Sequence, residues 1–229
     1  MKVTALLPVK GFRNAKQRLS SVLTTAGREL LAETMFRDVI REVRLARGLA
    51  GAYVVTADDK VASIAAAAGA SVIRESAENG ETSAVDFARR ELKSAGCEAV
   101  LILPGDLPLL RAADIESLLA RVTPDDTAPF ALLVPSHDRL GTNALLLAPP
   151  DQIELRFGYD SFAFHSAQVV AQGLALRYFE NEHIALDIDE PQDLERFVSY
   201  NLSDGDSTRL GRELLLQAAA RPERRALVL

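Results

Sequence analysis

Apolar runs bounded by turn residues recur along this chain, and amphipathic stretches separate most of them. Aliphatic or β-branched runs stand at residues 3–8, 52–56, 71–73, 99–103 and 130–135. Strands that alternate with helices imply βαβ units and a mainly parallel sheet. The first interval carries Leu31, Met35, Val39 and Val43 every four residues, broadened by Phe36 and Ile40. That stripe predicts one long helix, capped by Thr24 or Thr25. Further helices are predicted over 58–68, before Gly69, over 82–95, before Gly96, and over 112–122, with Asp114 in the first turn.

The pattern then changes. A second aliphatic run, 144–147, follows 130–135 after a connection too short for a helical crossover, which predicts local antiparallel pairing. A helix over 161–172, a strand over 176–179 and a closing helix over 191–200, with Pro191 in its first turn, complete the pattern. No composition break marks a second domain, so residues 1–200 are read as one unit. Residues 201–229 are read as an appendage: a linker around 203–207, a helix over 210–220 and a charged end at 221–225. Packing of that appendage on a partner subunit, as in a homodimer, is one expectation.

Composition narrows the field. With 48% hydrophobic and 25% charged residues the chain reads as an ordinary globular α/β protein. A net charge of -6 supplies no basic stripe for nucleic acid. No apolar run has transmembrane length or the form of a signal segment, so no membrane association is expected. Cys97 is the single cysteine, which excludes an internal disulfide and is compatible with a cytoplasmic setting.

Candidate chemistry lies at strand ends, where doubly wound sheets bind ligands. The loop after the first run carries Lys10, Arg13, Lys16 and Arg18, four cations in nine positions. Such a loop suits a triphosphate, with Lys16 and Arg18 as favoured phosphate ligands and Lys10 next. It is neither a Walker loop nor a GxGxxG fingerprint, and its alternative is a solvated basic loop. Pro104, Gly105 and Pro108 turn the backbone sharply around Asp106, aiming a carboxylate over the sheet edge. The alternative is a turn Asp bound to its own backbone. Asp187 and Asp189, two apart, point to one side of an extended segment and are able to share a hard cation with Asp106; the alternative is a cap on the helix at Pro191.

In their order along residues 1–200, the basic loop, Leu103-Pro104-Gly105-Asp106-Leu107-Pro108, Gly141-Thr142-Asn143-Ala144-Leu145, Phe157-Gly158-Tyr159-Asp160-Ser161 with His165, and Leu186-Asp187-Ile188-Asp189-Glu190-Pro191 resemble one known family. That family is the 2-phospho-L-lactate or phosphoenolpyruvate guanylyltransferases of deazaflavin coenzyme F-420 biosynthesis. The resemblance implies a Rossmann-like nucleotidyltransferase fold of the nucleotide-diphospho-sugar transferase type. It implies Mg²⁺ on Asp106, Asp187 and Asp189, and the phosphorylated acid on Thr142, Gly158 and Ser161. Neutral donors from Asn143, Thr142 and the Gly158 to Ser161 turn agree with an anionic acceptor. His165, one turn beyond Ser161, either faces the same ligand or is structural. A hairpin turn for Thr142 and Asn143 and a helix cap for Ser161 are the alternatives. Nucleotide contacts are expected from Pro8, Lys10, Lys16, Asn79, Gly80 and Gly105. Family members tend to carry a Gly-Leu-Asn turn where this chain has Glu78-Asn79-Gly80-Glu81-Thr82-Ser83. There Glu81 either accepts from a guanine edge or favours the helix N-terminus.

These residues together imply Mg²⁺-dependent transfer of GMP from GTP to a small phosphorylated carboxylic acid, with Lys16, Arg18 and Asp106 as the catalytic groups. Phosphoenolpyruvate is the first acceptor, then 2-phospho-L-lactate or 3-phosphoglycerate. Rival readings are a cytidylyl or molybdopterin-type nucleotidyltransferase, a glycosyltransferase with an Asp-x-Asp motif, and a catalytically silent nucleotide-binding module.

Overall fold

A computed structural model describes residues 1–122, 129–200 and 205–219. Strands β1 Val3–Pro8, β2 Leu49–Thr56, β3 Ser71–Arg74, β4 Ala99–Ile102, β5 Phe130–Pro135, β6 Thr142–Ala148 and β7 Ala175–Tyr178 form one sheet of order β3-β2-β1-β4-β6-β5-β7. The helices are α1 Thr25–Leu45, α2 Asp59–Ala67, α3 Glu81–Ser94, α4 Ala112–Leu119, α5 Ser161–Ala171, α6 Glu182–Ala185, α7 Pro191–Ser199 and α8 Asp206–Ala219. β6 alone runs antiparallel to its neighbours β4 and β5; the remaining pairs are parallel. The expected hairpin between the fifth and sixth runs is therefore present inside an α/β sheet.

Because successive side chains of a strand point to opposite faces, a sheet covered on both sides needs apolar residues at every position. β4 and β5 meet that requirement throughout, and β1 and β6 meet it apart from the buried Thr4, Thr142 and Asn143. Ala5, Leu7, Leu101, Leu132 and Leu146 pack on one face against Phe36, Val39 and Val43 of α1, Val61 and Ile64 of α2, and Ile115 and Leu118 of α4. Leu6, Ile102, Leu133 and Leu145 pack on the other against Val85, Ala88 and Leu92 of α3 and Val169 of α5. Thr24 caps α1 by accepting from Gly27 N–H, and Asp58 caps α2 by accepting from Val61 N–H.

The described part of the tail packs on its own chain. α8 starts at Asp206, four residues before the predicted start, and packs on α1 and α7 of its own chain. Ser207 donates from its N–H (2.9 Å) and its hydroxyl (2.6 Å) to the buried Asp38 carboxylate of α1. Leu214 joins Leu31, Met35, Leu194 and Phe197 in a third apolar cluster. Residues 201–204 and 220–229 of the predicted appendage lie outside the described residues.

Candidate active site

The order β3-β2-β1-β4 makes the gap between β1 and β4 a topological switch point, and both strands run in parallel to the same edge. The loops leaving Pro8 and Ile102 are thus forced together. Gly105 permits the close approach: a Cβ there would lie 2.9 Å from Val9 Cγ2 and 3.4 Å from the Phe36 ring. A cleft of about 530 Å³ opens at this edge, lined by Pro8 to Arg18, Glu75, Glu78, Gly80, Glu81, Gly105, Asp106 and Asp189. That volume suits a small-molecule ligand.

Of the residues expected to meet a nucleotide, Pro8, Lys10, Lys16, Gly80 and Gly105 line the cleft. Asn79 does not; its side chain is exposed and turns toward Ala77 O. The short Glu78 to Gly80 turn commits its inward contacts to Gly80 and to Glu78, which accepts from Gly11 N–H at 2.8 Å.

Lys16 is the centre of the charge arrangement. It adopts a left-handed backbone (φ 53) just before a 3-10 turn at Gln17–Ser21, which buries its side chain to 9% exposure. Its ammonium donates to Asp106 Oδ2 and, at 2.9 Å, to Asp189 Oδ1. Burial alone would lower the Lys16 pKa, but the two carboxylates outweigh it and hold the amine charged. Arg18, largely exposed, adds a contact to Asp189 at 3.5 Å. Burial raises Asp189, yet Lys16 and then Arg18 bring it below the ordinary carboxylate value. Asp187 is pushed up to about 6 by burial and by the charge of Asp106, with the hydrogen bond from Asn143 opposing. Burial and Asp106 likewise raise Glu81 to about 7.

The alternatives for the acidic residues are resolved in the structure. Asp106 is paired with Lys16, and the cap of α7 is Glu190 in a capping box with Asp193. The carboxylates do not stand as a ready metal cage, however. Among the described residues no group of three His, Cys, Asp or Glu side chains is placed to hold a metal ion. In this conformation the Lys16 ammonium stands between Asp106 and Asp189. The donor set still has the chemistry for a hard divalent cation: Asp106 and Asp189 flank the Lys16 ammonium, and Asp187, in the field of both carboxylates, is bonded by the Asn143 amide.

The residues expected to receive the acid lie outside that cleft and largely bond to one another. Thr142 and Asn143 open β6 rather than forming a turn. Thr142 N–H donates to Ser161 Oγ (3.0 Å), so Ser161, nearly fully buried, is committed to the strand and does not cap α5. His165 is fully buried, with its pKa lowered to about 4 by burial and then by Arg156 and Arg89. Its Nε2 accepts from Arg156 N–H (3.1 Å), which assigns the proton to Nδ1, 3.0 Å from Thr142 Oγ1. Both ring nitrogens are engaged in this conformation, and the ring orients Thr142, leaving that hydroxyl its own proton to donate. Asn143 is also a positioning residue. Its amide donates to Ile184 O, Ala185 O and Asp187 Oδ1 (3.0–3.1 Å), tying β6 to the Asp187 carboxylate. Gly158 keeps an open face in a left-handed turn (φ 99), with space where a side chain would stand.

Sequence reasoning missed Thr82, whose Oγ1 accepts from Phe157 N–H at 3.0 Å. A threonine in a helix's first turn carries no signal that it holds a loop 75 residues away.

A switch-point cleft with a basic loop on one strand end and clustered carboxylates on the next belongs to the nucleotidyltransferase class of α/β proteins. The solved structure of a protein assigned as a nucleotide-diphospho-sugar transferase from Desulfovibrio desulfuricans G20 superposes with a TM-score of 0.75 at 18% identity, covering 95% of this chain and 99% of that one. The chain belongs to the guanylyl transferase CofC-like family, whose model matches residues 3–215, well into α8. Among its relatives, the phosphoenolpyruvate guanylyltransferase of Conexibacter woesei is 38% identical over 195 residues, 85% of this chain and 86% of that protein. The 3-phospho-D-glycerate guanylyltransferase of Phenylobacterium zucineum is 38% identical over 197 residues, 82% of this chain and 86% of that protein.

Proposed function

We propose that this protein transfers GMP from GTP to the phosphate of a phosphorylated three-carbon acid, releasing pyrophosphate. The observation that carries the reading is the Lys16 bridge between Asp106 and Asp189 at the switch-point cleft, with Asn143 linking Asp187 to the strand that bears Thr142. Asp106, Asp187 and Asp189 would hold Mg²⁺, which neutralises phosphate charge and orients the triphosphate. Lys16, with Lys10 and Arg18, stabilises charge on the departing pyrophosphate. Glu81 faces the same cleft and offers a carboxylate to the guanine N–H edge.

The acceptor phosphate has a second pKa of about 6, so it is already an ionised nucleophile near neutral pH. No general base is required; positioning does the work. Phosphoenolpyruvate is the favoured acceptor, ahead of 2-phospho-L-lactate and 3-phosphoglycerate, and the product would serve cytoplasmic synthesis of the deazaflavin coenzyme F-420. The test is incubation with each nucleoside triphosphate and each of these acids in the presence of Mg²⁺, following pyrophosphate. GTP- and acceptor-dependent release is expected. No release from GTP with any of the acids overturns the reading.

A further inference from the structure

One stripe of α3 holds the segment that leads into Gly158. Lys93 Nζ contacts the Asp151 carboxylate at 2.5 Å. Arg89, 3% exposed, donates to Pro150 O (3.1 Å) and Ile153 O (2.8 Å), while Asp86 pairs with the same guanidinium through Nε at 2.9 Å. Thr82 then takes the Phe157 N–H. Residues 82, 86, 89 and 93 fall at i, i+4, i+7 and i+11, so a single helix face makes every one of these contacts. The N-terminal end of the same helix, Gly80 and Glu81, lines the nucleotide cleft.

We infer that α3 is a clamp between the two substrate sites, and that Thr82 is the positioning residue that sets the Phe157 to Gly158 loop for the acceptor. The inference rests on the proposed placement of the acceptor at that loop. Arg89 fixes the root of the segment, where two buried carbonyls would otherwise lack partners, and its role is inseparable from folding. Thr82 acts at the tip, on a single amide one residue before the open Gly158 turn. The ring of Phe157 packs edge-on against His165 at 5.1 Å, so displacement of this amide also disturbs the His165 to Thr142 bond.

Thr82→Val keeps the shape and removes the acceptor oxygen, and Thr82→Ser restores it. For Thr82→Val we expect KM for the acceptor to rise about ten-fold, the scale of one buried hydrogen bond, with KM for GTP and the melting temperature little changed. Thr82→Ser is expected to return the acceptor KM to the wild-type value. An unchanged acceptor KM, or an equal rise in both KM values, overturns the assignment. Amide hydrogen exchange at Phe157 in the ligand-free protein provides a readout independent of turnover. It should accelerate in Thr82→Val and recover in Thr82→Ser; an unchanged rate overturns the clamp. If wild type turns over none of the acids, the proposed function falls while exchange still decides the clamp.

Discussion

Asp106→Asn separates electrostatics from architecture at the cleft. The amide keeps an oxygen for the Lys16 ammonium, so the contact survives and only the charge is lost. The Lys16 ammonium stays charged, so an ion pair becomes an ion–dipole hydrogen bond that keeps part of the roughly 1.5–3 kcal/mol of a charge-assisted contact, and the change costs the fold about 1 kcal/mol. Two features of the site reduce that cost. Lys16 retains Asp189 at 2.9 Å, and Asp187 is relieved of the neighbouring charge that raises its pKa. For a chain of this size, 1 kcal/mol shifts the melting temperature by about 2–4 °C. Under the proposed function catalysis has no such compensation, because the charge would be required where phosphate and Mg²⁺ meet. Loss of one preorganised electrostatic group typically costs about 10²–10³ in kcat. Pyrophosphate release under saturating GTP and acceptor, with melting curves on the same preparations, measures both quantities. A kcat within about ten-fold of wild type refutes the reasoning, given that scale. A drop in melting temperature well beyond about 4 °C, with activity falling in proportion to the folded fraction, refutes it from the other side.

Two further predictions concern the scaffold. His165 has a folded pKa of about 4 against 6.5 for the free group, so between these values the unfolded chain binds more protons. Its neutral form stabilises the fold fully above pH 6.5, and that stability is lost as pH falls toward 4. His165→Phe should therefore melt below wild type at pH 7, with the gap narrowing by pH 4.5; a constant gap would show that His165 is not buried neutral. Asp38→Ala removes the acceptor of both Ser207 bonds. It should cost about 1–3 kcal/mol and loosen α8, seen as faster hydrogen exchange over residues 206–219, with KM for GTP unchanged; retained protection of α8 would contradict its docking through Asp38.

Much of this molecule was legible in its sequence where the cause was local. The continuous apolar runs of β1, β4, β5 and β6 announce strands covered on both faces, and Asp58, Gly69 and Gly96 punctuate α2 and α3 as helix signals do. The short β4 to Asp106 turn and the cation-rich loop after β1 were legible because both lie at strand ends. What the sequence hid depends on partners far away. Lys16 was readable as a cation, but its burial between Asp106 and Asp189 requires a left-handed residue and a bond across 173 positions. Asn143 and His165 have the side chains of ligand-binding residues, yet packing directs them onto Asp187 and Thr142. The helical turn α6 is too short to carry a periodic signal, and α8 begins with Asp206, Ser207 and Thr208, a polar stretch that resembles linker until Asp38 supplies its partner.

The docking of α8 on α1 bears on how the chain is made. Leu31 and Met35 cluster with the nearby Leu19, Val22 and Leu23, but also with Leu186, Ile188, Leu194, Phe197 and Leu214, which are made much later in synthesis. Part of this flank of α1 therefore stays uncovered on the nascent chain until those downstream residues have been made, a period in which an apolar stripe is open to holdase chaperones and to neighbouring nascent chains. Completion of this flank closes a loop of 169 residues between Asp38 and Ser207, a nonlocal contact whose closure entropy must be met before its burial is gained, on the same helix whose Ala32 and Phe36 line the cleft.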